Sequence, residues 1–338
     1  MYHPRLKGDP YRAGKHYAEI LYKNGFRFPQ VTEEKLHYGK SCIPILNEFD
    51  SDIVKEIHGF ADGCHASFEE VSSFLLSIGV FEPSGQCSIF AAFNGKEVII
   101  GRNYDMLFSL KKITESSLVC FDDKNKYLGH SDCFIGKVDG INEHGLFVGI
   151  TAVPHEGIKL GLNFYISCKH ILENCSNVAE GIEVLKSFPS SVANNYLLAD
   201  PSGSMAVVEV TPNECNVRLP KNNYIHCTNH HVGALAVENW NWSKSKDRFE
   251  TLDRVLAENV NNMTLSIAKS IMSETKGHVC LNLTEHKFGT LFSVVANLNT
   301  MEITRAEGMP NKAKYTADQR LTEAFLKEKK KDTVQLFN

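Results

Sequence analysis

The chain has 338 residues, 43% of them apolar and 22% charged, enough for one large core or two smaller ones. A formal net charge of −4 argues against a nucleic-acid binder, whose phosphate contacts need a basic face. No apolar run approaches the ~20 residues that span a bilayer, and the polar opening MYHPRLKGDPYRAGKHY lacks a signal-peptide core. The expectation is a soluble, cytoplasmic protein with no membrane partner.

In chain order, the first 86 residues read as mainly helical. Ile45, Phe49, Ile53, Ile57 and Phe60 recur at helical spacing over 45–63 and stop at Gly63. Residues 68–80 form a second helix, closed by the Glu82–Pro83–Ser84–Gly85 loop. Strands begin at Cys87: the runs 88–93 and 96–101 flank Asn94–Gly95, a hairpin signal. A further pair, 133–138 and 146–153, brackets DGINEHG. Helices are expected over 163–174 and Val178–Ser187, strands within 196–210 around Asp-Pro-Ser-Gly, and one more at 224–228. Helices over 245–258 and 262–274 precede a last hairpin at 290–306, and the lysine-rich run 327–331 reads as a solvated helix end. No internal repeat is visible. Helices and hairpins in this order suggest antiparallel sheets covered by helices, and a four-layer αββα sandwich (an α+β fold) fits.

The hairpin carries the chemistry. A two-residue Asn94–Gly95 turn pairs Cys87 directly with Arg102 on one face of the sheet, where a guanidinium favours the thiolate. Asp105 follows at the strand end, within reach of the same site. None of the ten cysteines forms a C-x-x-C pair, so a thiolate zinc site and a redox dithiol are not expected. His226, His230 and His231 cluster, but no carboxylate or cysteine spacing completes a metal site. Trp240 and Trp242 lie in the loop between Asn229 and Arg248, as an amphipathic rim or as a lid over an apolar acyl group.

A cysteine opening a strand, G-R-N-x-D at 101–105 and D-G-[IM]-N-E-x-G-L at 139–146 resemble the N-terminal-nucleophile hydrolases. The branch is that of choloylglycine hydrolases, penicillin V acylase and acyl-CoA:6-aminopenicillanate acyltransferases. The likeness continues through NNYLLAD-x-x-G-x-x-x-x-x-E at 194–209, Thr228–Asn229, Arg248–Phe249 and GTLFSVV at 289–295. The helical residues 1–86 resemble the propeptide of the acyltransferase branch, with 87–338 as the catalytic region.

The resemblance implies self-cleavage between Gln86 and Cys87, leaving a free Cys87 α-amine that acts as base for its own thiol. It implies an αββα sandwich with a helical N-terminal prosegment that stays associated after the cut. Arg102 corresponds to the arginine beside the thiol, and Asp105 to the carboxylate that orients the amine. Asn229 corresponds to the oxyanion donor and Arg248 to a second active-site arginine. The other oxyanion position falls on Thr151, and Asn194 and Asn195 are candidates for substrate contact. The substrate would be a small N-acyl compound, hydrolysed or passed to an amine, with no cofactor and with acyl-CoA entering only as a substrate of a transferase. An oligomer is left open.

Gln86 and Thr151 depart from the family pattern and motivate an alternative, an uncleaved, non-catalytic small-molecule-binding protein on the same scaffold. A papain-like protease using His226 or His230 ranks last, because Cys87 sits on a strand and not on a helix.

Overall fold

The computed structural model describes residues 1–81, 85–155, 157, 159–236 and 243–324. Residues 82–84 of the predicted loop, Trp240, Trp242 and the run 327–331 lie outside the described residues.

A short strand, β1 (Arg5–Gly8), precedes four helices: α1 (Pro10–Lys23), α2 (Glu33–Phe49), α3 (Ser51–Cys64) and α4 (Phe68–Ser77). The helix expected over 45–63 is therefore two pieces. Asp50 divides them: its backbone is extended (φ −155°) and its carboxylate accepts from the Asp52 and Ile53 amides, capping α3. The apolar spacing runs on across this break, so periodicity alone misses it.

Strands β2 (Gln86–Phe93), β3 (Val98–Leu107), β4 (Glu115–Phe121), β5 (Tyr127–Ser131), β6 (Asp139–Asn142) and β7 (Phe147–Ala152) follow. The stretch 133–138, expected as a strand, is irregular. The buried Lys137 ammonium gathers the carbonyls of Phe134, Ile135 and Gly136, and carbonyls turned onto one cation are lost to a ladder. The DGIN stretch, expected as part of the turn, is itself strand β6.

Next come α5 (Phe164–Asn174), α6 (Val178–Ser187), β8 (Asn194–Ala199), β9 (Met205–Val210), β10 (Cys215–Arg218) and β11 (Tyr224–Cys227). The chain continues through α7 (Ser245–Asn259), α8 (Leu265–Met272), β12 (Asn282–Leu283), β13 (Phe288–Asn297), β14 (Glu302–Ala306) and β15 (Tyr315–Ala317).

Two sheets result. One has eight strands in the order β1-β4-β5-β6-β7-β8-β9-β10; the other has seven, β11-β2-β3-β13-β14-β15 with β12 beside β13. The ladders are antiparallel except at one edge, where β1 runs parallel to β4. The sheets face each other: a Cβ on Gly149 of β7 would lie 3.1 Å from the Ile89 side chain of β2. Along β2, Cys87, Ile89 and Ala91 enter the core between the sheets, while Phe90 and Ala92 enter a second core with Leu252, Leu256 and Met272 of α7 and α8. Burial on both faces explains why this strand reads as a continuous apolar run. With α5 and α6 on the outer face of the larger sheet and α7 and α8 on that of the smaller, the layers are αββα.

The N-terminal segment is built into this sandwich. Strand β1 completes the larger sheet, the Tyr17 hydroxyl donates to the buried Glu115 carboxylate, and Glu56 of α3 lies 2.7 Å from the buried Lys169 ammonium of α5. Helices α1 and α3 touch backbone to backbone, since a Cβ on Gly59 would lie 1.9 Å from the Tyr11 carbonyl oxygen. Alanine is the better helix former by roughly 0.8–1.0 kcal/mol, whereas overpacking costs about 1–3 kcal/mol. Gly59→Ala is therefore expected to lower stability by up to about 2 kcal/mol, read as a lower denaturant midpoint at unchanged slope; a rise in the midpoint would refute the close approach.

Candidate active site

The site begins at the first residues of β2. Cys87 pairs with Tyr104, and Arg102 pairs with Ile89, so the register is shifted by two residues from the expected Cys87–Arg102 pair. The turn explains the correction. Gly95, at φ +91°, is the first central residue, and Asn94 closes the hairpin, its amide bonding to Glu97 O while its side chain accepts from the Lys96 and Glu97 amides. A shift of two preserves the face. Arg102 thus reaches Cys87 diagonally, with Nη2 at 3.3 Å from Sγ.

The thiol is 1% exposed, and burial pushes it up to about 11, outweighing the opposing pull of Arg102. The expected thiolate is therefore not favoured in the uncut chain. Arg102 is not a bare cation: its Nη1 is paired with Asp139, whose other oxygen lies 2.5 Å from His130 Nδ1. Asp139 and His130 were missed as site residues, although the Asp that opens the DGIN motif carried a signal.

The Cys87 peptide N–H donates to Asn229 Oδ1 at 2.8 Å, and the same oxygen accepts from Arg248 Nη2 at 2.9 Å. Asn229 Nδ2 donates to Ala152 O at 2.8 Å and to Gly85 O at 3.5 Å. In this state Asn229 grips the nucleophile's nitrogen, and its amide donor is held by backbone carbonyls. Arg248, fully buried, donates through Nη1 to Cys87 O at 2.5 Å and to Ser88 Oγ at 3.0 Å, and through Nε to Ser243 O at 3.0 Å. Ser243 Oγ in turn donates to Gln86 Oε1 at 2.6 Å, so the side chain before the nucleophile is anchored too. Ser243 carried no sequence signal.

Asp105 is buried beside Gln86 in the ladder. Its Oδ1 accepts from Thr290 Oγ1 at 2.6 Å and its Oδ2 has no hydrogen-bond partner among the described residues. Burial lifts this carboxyl to about 6, against the pull of Arg248, Thr290 and Arg102.

Thr151 Oγ1 donates to Thr228 O at 2.5 Å and accepts from Asn195 Nδ2 at 3.0 Å. Asn195 also donates to Thr228 O and His230 O, so both residues brace the turn that presents Asn229. Asn194 is buried with neither side-chain polar atom bonded among the described residues. His226 pairs with Phe90 in the register, which puts it on the opposite face from Cys87. Burial lowers His226 and His230 to about 4, leaving both rings neutral at pH 7. Among the described residues no group of three or more His, Cys, Asp or Glu side chains could hold a metal ion, and no helix is long and apolar enough to cross a membrane.

The sequence profile of the acyl-coenzyme A:6-aminopenicillanic acid acyl-transferase family matches residues 92–312, a span that starts just after Cys87 and takes in Arg102, Asp105, Asn229 and Arg248. No curated protein sequence matches significantly. Among solved structures, the chain is similar to the Caenorhabditis elegans N-acylethanolamine-hydrolyzing acid amidase ortholog (19% identity, 63% of this chain and 93% of that one, TM-score 0.49). It is also similar to penicillin V acylase from Agrobacterium tumefaciens (14%, 65% and 83%, 0.44) and to a mutant conjugated bile acid hydrolase from Clostridium perfringens (15%, 69% and 96%, 0.42). The chain belongs to the acyl-coenzyme A:6-aminopenicillanic acid acyl-transferase family within the N-terminal-nucleophile hydrolases, and that membership supports a thiol-based acyl-transfer or amidohydrolase activity.

Proposed function

We propose that the protein cuts itself between Gln86 and Cys87 and then cleaves or transfers the acyl group of a small N-acyl compound through a thioester on Cys87. The observation that carries this reading is the double grip on one residue: Asn229 and Arg248 hold the backbone of Cys87 while Arg102 touches its sulfur. In the first step Sγ attacks the Gln86 carbonyl carbon, the C–N bond breaks, and the nitrogen leaves as the Cys87 amine, carrying the thiol proton. Water then hydrolyses the Gln86 thioester, releasing a carboxylate on Gln86. The freed α-amine, with a reference pKa of about 7.7–8.0, is suited to take the thiol proton in each later turnover. Nucleophile and base are then held at fixed separation by one residue. Asp105 would hold the new ammonium, Asn229 would donate at the oxyanion once the cut frees its amide, Thr151 and Asn195 would assist by bracing the turn that presents it, and Asn194 would border the substrate.

Residues 1–86 and 87–338 would remain together as two chains, held by β1 and by the buried Glu56–Lys169 contact. No cofactor is required, and acyl-CoA would serve as a substrate if an amine accepts the acyl group. Ten free cysteines suit a reducing, cytoplasmic setting. The second reading, an uncleaved binding protein, draws on the burial of Cys87 and Gln86, which expose 1% and 3%.

Intact mass spectrometry separates the two. Purified protein is expected as two associated chains beginning at Met1 and Cys87, and Cys87→Ala as one uncut, inactive chain; an active wild type that stays full length ends the proposal. Ser243→Ala, which releases the Gln86 side chain, is expected to slow self-cleavage about tenfold or more in a time course of chain splitting, and an unchanged rate would remove Ser243 from the processing step. Asp105 supplies a pH test with a definite sign. Its carboxyl is raised in the folded chain, so stability is greatest below the unfolded value near 3.8 and declines as pH rises through about 6. Asp105→Asn should therefore stabilise the chain at pH 7 by about 1–3 kcal/mol of relieved burial, read as a higher thermal midpoint, while lowering turnover of an N-acyl substrate, which in the wild type should decline as pH falls below about 6.

A further inference from the structure

Arg102 touches the Cys87 sulfur with one terminal nitrogen and gives the other to Asp139. Asp139 is 1% exposed, and its second oxygen lies 2.5 Å from His130 Nδ1. His130 rests on the Phe292 ring, 5.3 Å between centroids, and the Arg102 guanidinium lies over the same ring at 5.7 Å. A line of charge-assisted hydrogen bonds therefore runs from His130 on β5 through Asp139 on β6 to Arg102 on β3 and the sulfur on β2, crossing from one sheet to the other.

We propose that Asp139, steadied by His130, is a positioning residue that fixes the Arg102 guanidinium against the Cys87 sulfur and cancels its charge there, an inference that rests on the reading of Cys87 as the nucleophile.

The charges around the sulfur balance. Arg102 and Asp105 face it from β3, Arg248 from α7 and Asp139 from β6, two cations against two anions. Tyr104 on β3 and Cys227 on β11 also face it, both neutral because burial raises them. Asp139 keeps its charge because Arg102 and His130 outweigh its burial, while burial keeps His130 neutral, an Nδ1–H donor. A guanidinium without its counterion at 3.3 Å would trap the sulfur as a thiolate of reduced intrinsic nucleophilicity. Removing Asp139 should thus make the thiol ionise more readily while leaving Arg102 poorly placed. These two effects have opposite signs in two assays, which a merely structural defect does not produce.

The experiment compares wild type and Asp139→Asn as self-cleaved protein, measuring iodoacetamide labelling of Cys87 by intact mass across pH 6–10, and turnover of an N-acyl substrate. In Asp139→Asn the labelling profile should move to lower pH, giving about tenfold faster labelling at pH 7, while kcat falls about 100-fold and KM changes little. Asp139→Glu, which keeps the charge and displaces it, should leave the labelling profile in place and still lower kcat. A labelling profile for Asp139→Asn that superimposes on the wild type overturns the proposal. If Asp139→Asn fails to fold or to cut itself, His130→Gln decides: a fall in kcat at constant KM supports the line of contacts, and an unchanged kcat overturns it. Full turnover by Cys87→Ala would instead remove the nucleophile on which the inference rests.

Discussion

A cation without water needs an anion or a full set of hydrogen-bond acceptors; Arg248 has the acceptors, and for Arg102 it is the anion that shapes this molecule. The Arg102 guanidinium is fully buried between the two sheets, and breaking such a pair by removing one partner typically costs about 3–5 kcal/mol. Asp139 must therefore come from the facing sheet to meet it. That contact ties β6 to β3 across the sandwich and sets the distance from Arg102 to the sulfur. It also sets the local electrostatics, because a paired guanidinium lowers a neighbouring thiol far less than a free one. The result is a cysteine that is gripped on every side and protonated.

The same logic holds the N-terminal segment. Glu56 and Glu173 share the buried Lys169 ammonium beside Tyr127, and Lys137 meets Glu115 under Tyr17. These groups join α1 and α3 to α5 and β4 away from water, so separating them would leave a buried group without its partner. A cut at Gln86–Cys87 would break one backbone bond and leave all of these contacts in place. The segment is better described as part of the sandwich than as a separate domain.

Much of this was legible from local rules. Hydrophobic period located α5, α6, α7 and the strands β8, β9 and β11 closely, and the Asn-Gly and Asp-Pro-Ser-Gly signals marked the right hairpins. Cys87, Arg102, Asn229 and Arg248 do come together, the first two because strand alternation fixes their shared face. Three of the errors share a cause, while the strands β1, β4, β5 and β10 were not anticipated at all. Asp50 breaks a helix through a side-chain cap, Asn94 moves a turn through its own amide, and Lys137 unmakes a strand by collecting carbonyls. In each, a single polar side chain overrides a pattern that is written mainly in apolar residues.

Read as a string of residues, the chain already specified its class of fold, the face on which Cys87 lies and the nearness of Arg102, since strand alternation survives a register shift of two. What these residues are chemically was settled by packing. Whether a thiol ionises depends on how much water it keeps and on the net charge around it, and both come from distant elements: Asp139 from β6, Arg248 from α7, Thr290 beside Asp105 from β13. Solvation and long-range charge balance are properties of the assembled core, and no spacing along the chain encodes them.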